Sequence, residues 1–275
     1  MSAWWAVSPP GTGVPVPGAT LGSTPSMSKE TYTASVPSAA SLEADAVDDA
    51  LELVSRLESL PLGPIPISLE DSAPGEPGDT RLLVPSSITL DGVLLAHGVN
   101  ADLTTAGILE YEPVPVDEFS DGDRQLQSGG RITRYVDVIN GEGSSIDVIS
   151  LLIEAGRTDV LTLLETESEG SGLLVGDGRQ FPINRYEEAR DLAVASRDAI
   201  GGVLDFRRPR EQDKLPNGSS AWAFGSLTYV GVGELVLAAL SEAGLTDEWD
   251  TLYGTVERNS FEPVAAVAPT AALDD

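Results

Sequence analysis

The sequence predicts an α+β fold: a β-sandwich or closed-sheet core with flanking helices, carrying extended N-terminal and C-terminal arms. Three observations predict it. Hydrophobic residues make up 41% of the chain and recur at strand and helix spacings, so a packed core is expected where a disordered acidic tail would lack the apolar surface. The 28 glycines and 19 prolines demand many turns, which favours a β-rich chain. Both ends are rich in Pro and Ala and show no periodic apolar stripe.

Residues 1–40 read as an extended arm with Trp4 and Trp5 at its tip. Two indoles offer a large contact area for few ordered bonds, which makes them candidate anchors on a neighbouring subunit. A helix is expected over 41–59, where Leu42, Ala46, Ala50, Leu53, Val54 and Leu57 form one stripe. Glu43, Asp45, Asp48 and Asp49 fall in its first turns, where the macrodipole favours them. Pro61, Pro64 and Pro66 stop it, and a Pro/Gly linker follows through Gly78, so 41–80 is helix plus linker.

A β-rich domain is expected over 81–183. It opens with two β-prone runs around Asp91 and Gly92, a strong local hairpin signal. Residues 107–116 read as an edge strand, because Pro113 and Pro115 cannot donate to a ladder. Residues 131–139 form a strand with Ile132, Val136 and Val138 on one face. Ile146, Ile149, Leu152 and Ile153 then make a helical stripe, capped by Ser144 or Ser145 and stopped by Gly156. A strand at 159–165 and a hairpin at 173–183, turning at Gly176, Asp177 and Gly178, complete the domain.

An α/β extension is expected over 184–262. Asn184 starts a helix to about Ile200 that Gly201 and Gly202 end, with strands at 203–206 and 222–230. A helix at 233–243 ends at Gly244, and 263–275 is a C-terminal tail.

Charge limits what such a fold can do. The 44 Asp and Glu against 16 Lys and Arg give a net charge of -28 and a pI near 4.1. Self-repulsion on that scale strains a compact state in dilute buffer, whereas molar salt shortens the Debye length to about 3 Å and screens it. Lys29 and Lys214 are the only lysines, and this skew with the carboxylate excess resembles haloarchaeal proteins. With no cysteine there is no disulfide and no thiolate metal site. No basic residue precedes Lys29 and no apolar run reaches membrane length, so neither a secretory signal nor a membrane span is expected.

Motifs for chemistry are missing. His97 is the single histidine, which rules out a histidine metal cluster and leaves one residue for any Ser-His-Asp arrangement; it reads as a loop or strand-end residue. Gly141 to Gly143 and Gly231 to Gly233 lack the third glycine and the lysine of phosphate loops. Asp117, Glu118, Asp121 and Asp123 break the alternate spacing of a calcium loop. No catalytic, cofactor or metal residue is therefore assigned. Arg207, Arg208 and Arg210, with Lys214, form a local reversal of charge and a candidate docking point for an acidic surface of a sister subunit.

The order of elements over 87–183 resembles the small tail proteins of tailed viruses, the tail-tube, terminator and distal-tail group. The residues that carry this resemblance are the run Ile88 to Leu95, a Pro-containing strand, Gly130, Arg131 and Ile132 leading a strand, a helix closing on Glu154, Ala155 and Gly156, the strand Val160 to Leu164, and Gly176, Asp177, Gly178 and Arg179. The resemblance implies a virion subunit of a haloarchaeal tailed virus, a tail or baseplate component assembled in the host cytoplasm. Its implied partners are copies of itself and other virion proteins in a ring, with viral DNA passing by an acidic wall without specific binding. Two other readings are a capsid or spike-base protein, and a cytosolic haloarchaeal enzyme or ligand-binding protein with a deep pocket.

Overall fold

Two antiparallel sheets of five strands organise the chain in a computed structural model that describes residues 34–113, 130–140, 147–165, 170–208 and 223–267. The chain enters through β1 (Ala34–Ser35) and β2 (Pro37–Leu42), then helix α1 (Val47–Glu58), β3 (Pro66–Asp71), β4 (Thr80–Pro85) and helix α2 (Ile88–Ala96). Next come β5 (Asp102–Pro113), β6 (Gly130–Asn140), α3 (Val148–Glu154), α4 (Thr162–Glu165), β7 (Gly172–Pro182), α5 (Tyr186–Ile200), β8 (Val203–Arg207) and β9 (Phe224–Val230). Helix α6 (Val232–Glu242) leads to β10 (Trp249–Asp250), β11 (Val256–Glu257), β12 (Glu262–Pro263) and α7 (Val264–Val267). The first sheet has the order β10-β2-β4-β3-β12 and the second β6-β5-β7-β9-β8, while β1 pairs with β11. This is the α+β class that the sequence predicts.

Several elements match their sequence signals because the signals are local. Strands β6, β8 and β9 and helices α5 and α6 lie where periodicity places them, and Gly156, Gly201 and Gly244 end their helices with φ of 60°, 72° and 67°. Helix α3 is capped by the Asp147 carboxylate, which accepts from the Ser150 amide; Ser144 and Ser145 lie outside the described residues.

Other expectations are corrected. The stripe at 41–59 mixes two elements: Leu42 closes β2 opposite Thr80, and the helix begins only at Val47. The Pro/Gly linker contains β3, whose Pro66 sits at the first strand position, where a missing N–H is tolerated. The Asp91-Gly92 hairpin is helix α2, since Leu90, Val93 and Leu94 at helical spacing enter a core. Strand β5 is interior, not an edge, because β6 and β7 flank it and Pro113 occupies only its last position. The strand at 159–165 reduces to one bridge, Asp159 to Leu173, and helix α4; the Glu242 carboxylate accepts from the Val160 and Leu161 amides and starts that helix. The hairpin at 173–183 is one continuous strand, β7. Its Gly176 is there for close packing, since a Cβ would lie 2.8 Å from Val230 Cγ2 and 2.9 Å from Leu109 Cδ1.

The buried apolar residues form two cores. One gathers α1, β2, β4, α3 and α6 with parts of β5 and β7; the other gathers α2 and α5 on β7, β8 and β9. Phe181, Tyr186 and Phe206 meet in the second core with ring centroids 5.9 to 6.0 Å apart.

Candidate functional site

Between the two cores, five polar side chains from three elements converge: Ser87 at the start of α2, Asp91 on α2, Asp177 and Arg179 on β7, and Glu234 in the first turn of α6. Arg179 is held by a two-pronged pair, Nε to Asp91 Oδ1 at 2.5 Å and Nη2 to Asp91 Oδ2 at 2.8 Å. Its Nη1 and Nη2 also reach the Asp177 and Ser87 carbonyls at 3.4 Å. The Ser87 hydroxyl donates to Asp177 Oδ2 at 2.6 Å, and the Ser87 amide donates to Glu234 Oε1 at 2.8 Å.

Burial dominates the electrostatics. Three carboxylates face one guanidinium whose side chain is fully buried. Burial raises the Asp177 carboxyl, with Asp91 and Asp147 adding repulsion while Arg179 and Ser87 oppose it. Glu234 is pushed up to about 7, first by burial and then by Asp177. Burial works against the charge on Arg179, but the Asp91 and Asp177 carboxylates outweigh it and keep the guanidinium ionised. The second Glu234 oxygen, Oε2, is buried and has no hydrogen-bond partner among the described residues. The bonds of this cluster run between α2, β7 and α6, so it ties those elements together and concentrates charge at their junction.

A second polar group joins the edges of the second sheet, which curls until β6 and β8 touch. The Tyr135 hydroxyl lies 3.2 Å from Asp205 Oδ2 and 2.8 Å from Thr228 Oγ1. Arg207 donates to Asp205 Oδ2 through Nε at 2.9 Å and Nη2 at 2.6 Å, with its guanidinium 5.4 Å from the centre of the Tyr135 ring. Burial, with Asp205 beside it, raises the Tyr135 hydroxyl. Arg208 pairs with Glu187 at 2.7 Å and stacks on Tyr186 at 4.8 Å.

The structure thus places Arg207 and Arg208 against carboxylates of their own chain. Trp4, Trp5, Arg210, Lys214, the Gly141 to Gly143 run and the acidic loop around Asp121 lie outside the described residues. His97 follows α2, with Nδ1 2.9 Å from the Val93 carbonyl. Sequence reasoning missed all five members of the buried cluster. Gly176, Asp177 and Gly178 looked like a turn, and Gly231 to Gly233 drew notice only as a failed phosphate loop, one residue short of Glu234. Among the described residues, no three acidic or histidine side chains are arranged to hold a metal, and no helix is long and apolar enough to cross a membrane.

Comparison with known proteins identifies a different relationship from the viral one. Residues 126–263 match the model of NrpR regulatory domains NRD1 and 2. Over 200 residues, 72% of this chain, the sequence is 28% identical to the global nitrogen regulator NrpRI of Methanosarcina mazei; the match covers 54% of that protein, so the chain spans about half its length. The fold is similar to the crystal structure of a nitrogen repressor-like protein from Methanococcus jannaschii, with a TM-score of 0.60 and 16% identity over 84% of this chain and 88% of that one. These findings overturn the resemblance to viral tail proteins. The virion role falls with it, together with the capsid alternative, the ring of copies and companion virion proteins, and the location in a particle. The physical reason is visible in the fold. Of the elements that carried the resemblance, the run at 88–95 and part of 160–164 are helical, and the stretch from Gly176 to Arg179 does not turn.

Proposed function

We propose that this chain, which belongs to the family of NrpR regulatory domains NRD1 and 2, is the signal-responsive part of a regulator of nitrogen metabolism and not the part that reads DNA. The family match across 126–263 carries this reading. The names of its relatives, a global nitrogen regulator and a nitrogen repressor-like protein, supply the process. In this reading the chain performs no catalysis of its own.

Charge supports the division of labour. A DNA-reading surface gains affinity by placing Lys and Arg on phosphates and releasing counterions. This chain carries a net charge of -28, and the arginines of its long edge strand are matched, Arg131 by Glu112 at 2.9 Å and Arg134 by Glu110 at 3.0 Å. On α5, Arg190 pairs with Glu187 and Arg197 with Asp198, each at 2.7 Å. Contact with promoter DNA is assigned to another part of the regulator or to a companion chain.

Two measurements test the reading. Transcripts for ammonium assimilation, compared with and without the gene in ammonium-rich and nitrogen-starved cells, are expected to lose their dependence on nitrogen supply. Fluorescence anisotropy of a labelled promoter duplex in molar KCl is expected not to change when the purified chain is added. Unaltered transcript control would remove the nitrogen role, and sequence-selective duplex binding by the chain alone would remove the division of labour.

A further inference from the structure

The chain contains the same fold twice. Elements β2-α1-β3-β4-α2 and β7-α5-β8-β9-α6 follow one plan, with antiparallel orders β2-β4-β3 and β7-β9-β8. The second helix of each ends identically. Gly98 and Gly244 have φ of 72° and 67°, and the next amides, Val99 and Leu245, each donate to the carbonyl five residues back, Leu94 and Leu240, at 2.9 Å. Aligning Gly98 with Gly244 sets Leu83 on Tyr229 and Arg81 on Leu227, and the strand partners follow: Ala39 takes the place of Asp177 and Ser41 that of Arg179. Equivalent loops also touch each other, since a Cβ on Gly63 would lie 3.1 Å from Gly201 Cα, and the Gly202 amide donates to the Leu62 carbonyl at 2.7 Å. Self-contact between equivalent places is the mark of an internal twofold axis.

About that axis the second helices are exchanged. Helix α2 belongs by sequence to the first half, yet Leu90, Val93 and Leu94 enter the core of the second; α6 belongs to the second half and packs on β2, β4 and α1 of the first. The two linkers cross in contact, with a Cβ on Gly231 falling 2.7 Å from the Ser87 amide nitrogen and one on Gly233 falling 2.8 Å from the Pro85 carbonyl oxygen. The exchange is unequal. Every residue of α6 from Val232 to Leu240 is buried, whereas α2 buries four residues and leaves Leu95 61% exposed. Thr89 bonds α2 to Ser35 and Val36 of its own half, and its polar ties to β7 are Asp91 on Arg179 and Ser87 on Asp177, at positions where the other crossing carries Leu237, Ser41, Gly233 and Ala39.

We infer that α2 is a latched switch element: it leaves the second core as a unit when the Asp91–Arg179 pair opens, while α6 stays in place as the fixed half of the exchange. The latch gives a regulatory module one mobile helix without unfolding either sheet. It does not depend on the nitrogen reading, because opening is measured on the isolated chain.

Hydrogen exchange followed by mass spectrometry on the full chain in molar KCl tests the latch, using Asp91→Asn and the milder Ser87→Ala. Asp91→Asn is expected to speed exchange of the α2 amides about tenfold or more, with α6 amides unchanged. Ser87→Ala is expected to produce a smaller acceleration, again confined to α2. Equal acceleration in α2 and α6, or none in either variant, overturns the proposal. If Asp91→Asn does not fold, the distribution seen in Ser87→Ala decides between the same two results.

Discussion

Helix α6 crosses from the second half into the first through glycines and apolar contacts with one carboxylate, Glu234, accepting from the Ser87 amide, whereas α2 makes the reverse crossing through an ion pair and a hydrogen-bonded serine. Topology is the same on both sides, so the difference lies in chemistry alone. Apolar burial holds a helix by many small contacts that must all be lost together. An ionic latch concentrates the hold in a few groups whose separation has a defined cost and can be reversed.

Substitutions can erase this contrast from either side. The largest effect is expected from Leu237→Asp, which puts a carboxylate at the α6 position equivalent to Asp91 with no arginine to meet it. Urea unfolding in molar KCl should then show a loss of about 4 kcal/mol or more. Arg179→Met strips the charged side of its cation and leaves buried carboxylates facing each other, at a cost of about 3–5 kcal/mol in the same assay. A shift below about 1 kcal/mol would place the latch energy elsewhere.

Glu234→Gln sharpens the contrast through pH. The folded-state value near 7 stands above the ordinary 4.5, so the folded chain holds the proton more tightly than the unfolded chain does. Stability therefore declines as pH rises between about 4.5 and 7, and the glutamine variant should lack up to about 3 kcal/mol of that decline. Parallel pH profiles for the two proteins would rule this out. Gly233→Ala tests the tight crossing, where the new methyl meets the Val84 and Pro85 carbonyl oxygens and Ser38 Oγ within 3 Å; a loss of about 1–3 kcal/mol is expected. Gly92→Ala acts in the opposite direction. Nothing lies within 4 Å of a Cβ there, so a better helix former should stabilise α2 by about 0.5–1 kcal/mol and slow its opening.

How much of this was legible depended on range. Helix α5 with its Gly201 stop, strand β9 and helix α6 are specified by neighbours within a few residues, and periodicity finds them. Strand β7 is not, because a glycine required by Val230, some fifty residues away in sequence, looks like one required by a turn. Asp91 and Gly92 mislead for the same reason: their helix exists because a distant core accepts Leu90 and Leu94. The charge cluster left no trace in the sequence, since 44 acidic residues hide any three that are buried. The repeated plan was equally hidden, because its two copies agree in hydrogen-bond register and glycine placement while differing in nearly every side chain that fills them.

The first sheet is finished by the last part of the chain. Strands β10 and β12 close its two edges, on β2 and β3, and α6 roofs its core. During synthesis the residues through β4 therefore leave the ribosome without β10, β12 and α6, and the core around Leu42, Leu82 and Val84 lacks that part of its cover until 232–263 has been made. The nascent chain must be shielded from its neighbours through that interval, and any truncation before α6 is expected to yield insoluble protein in place of a smaller working domain.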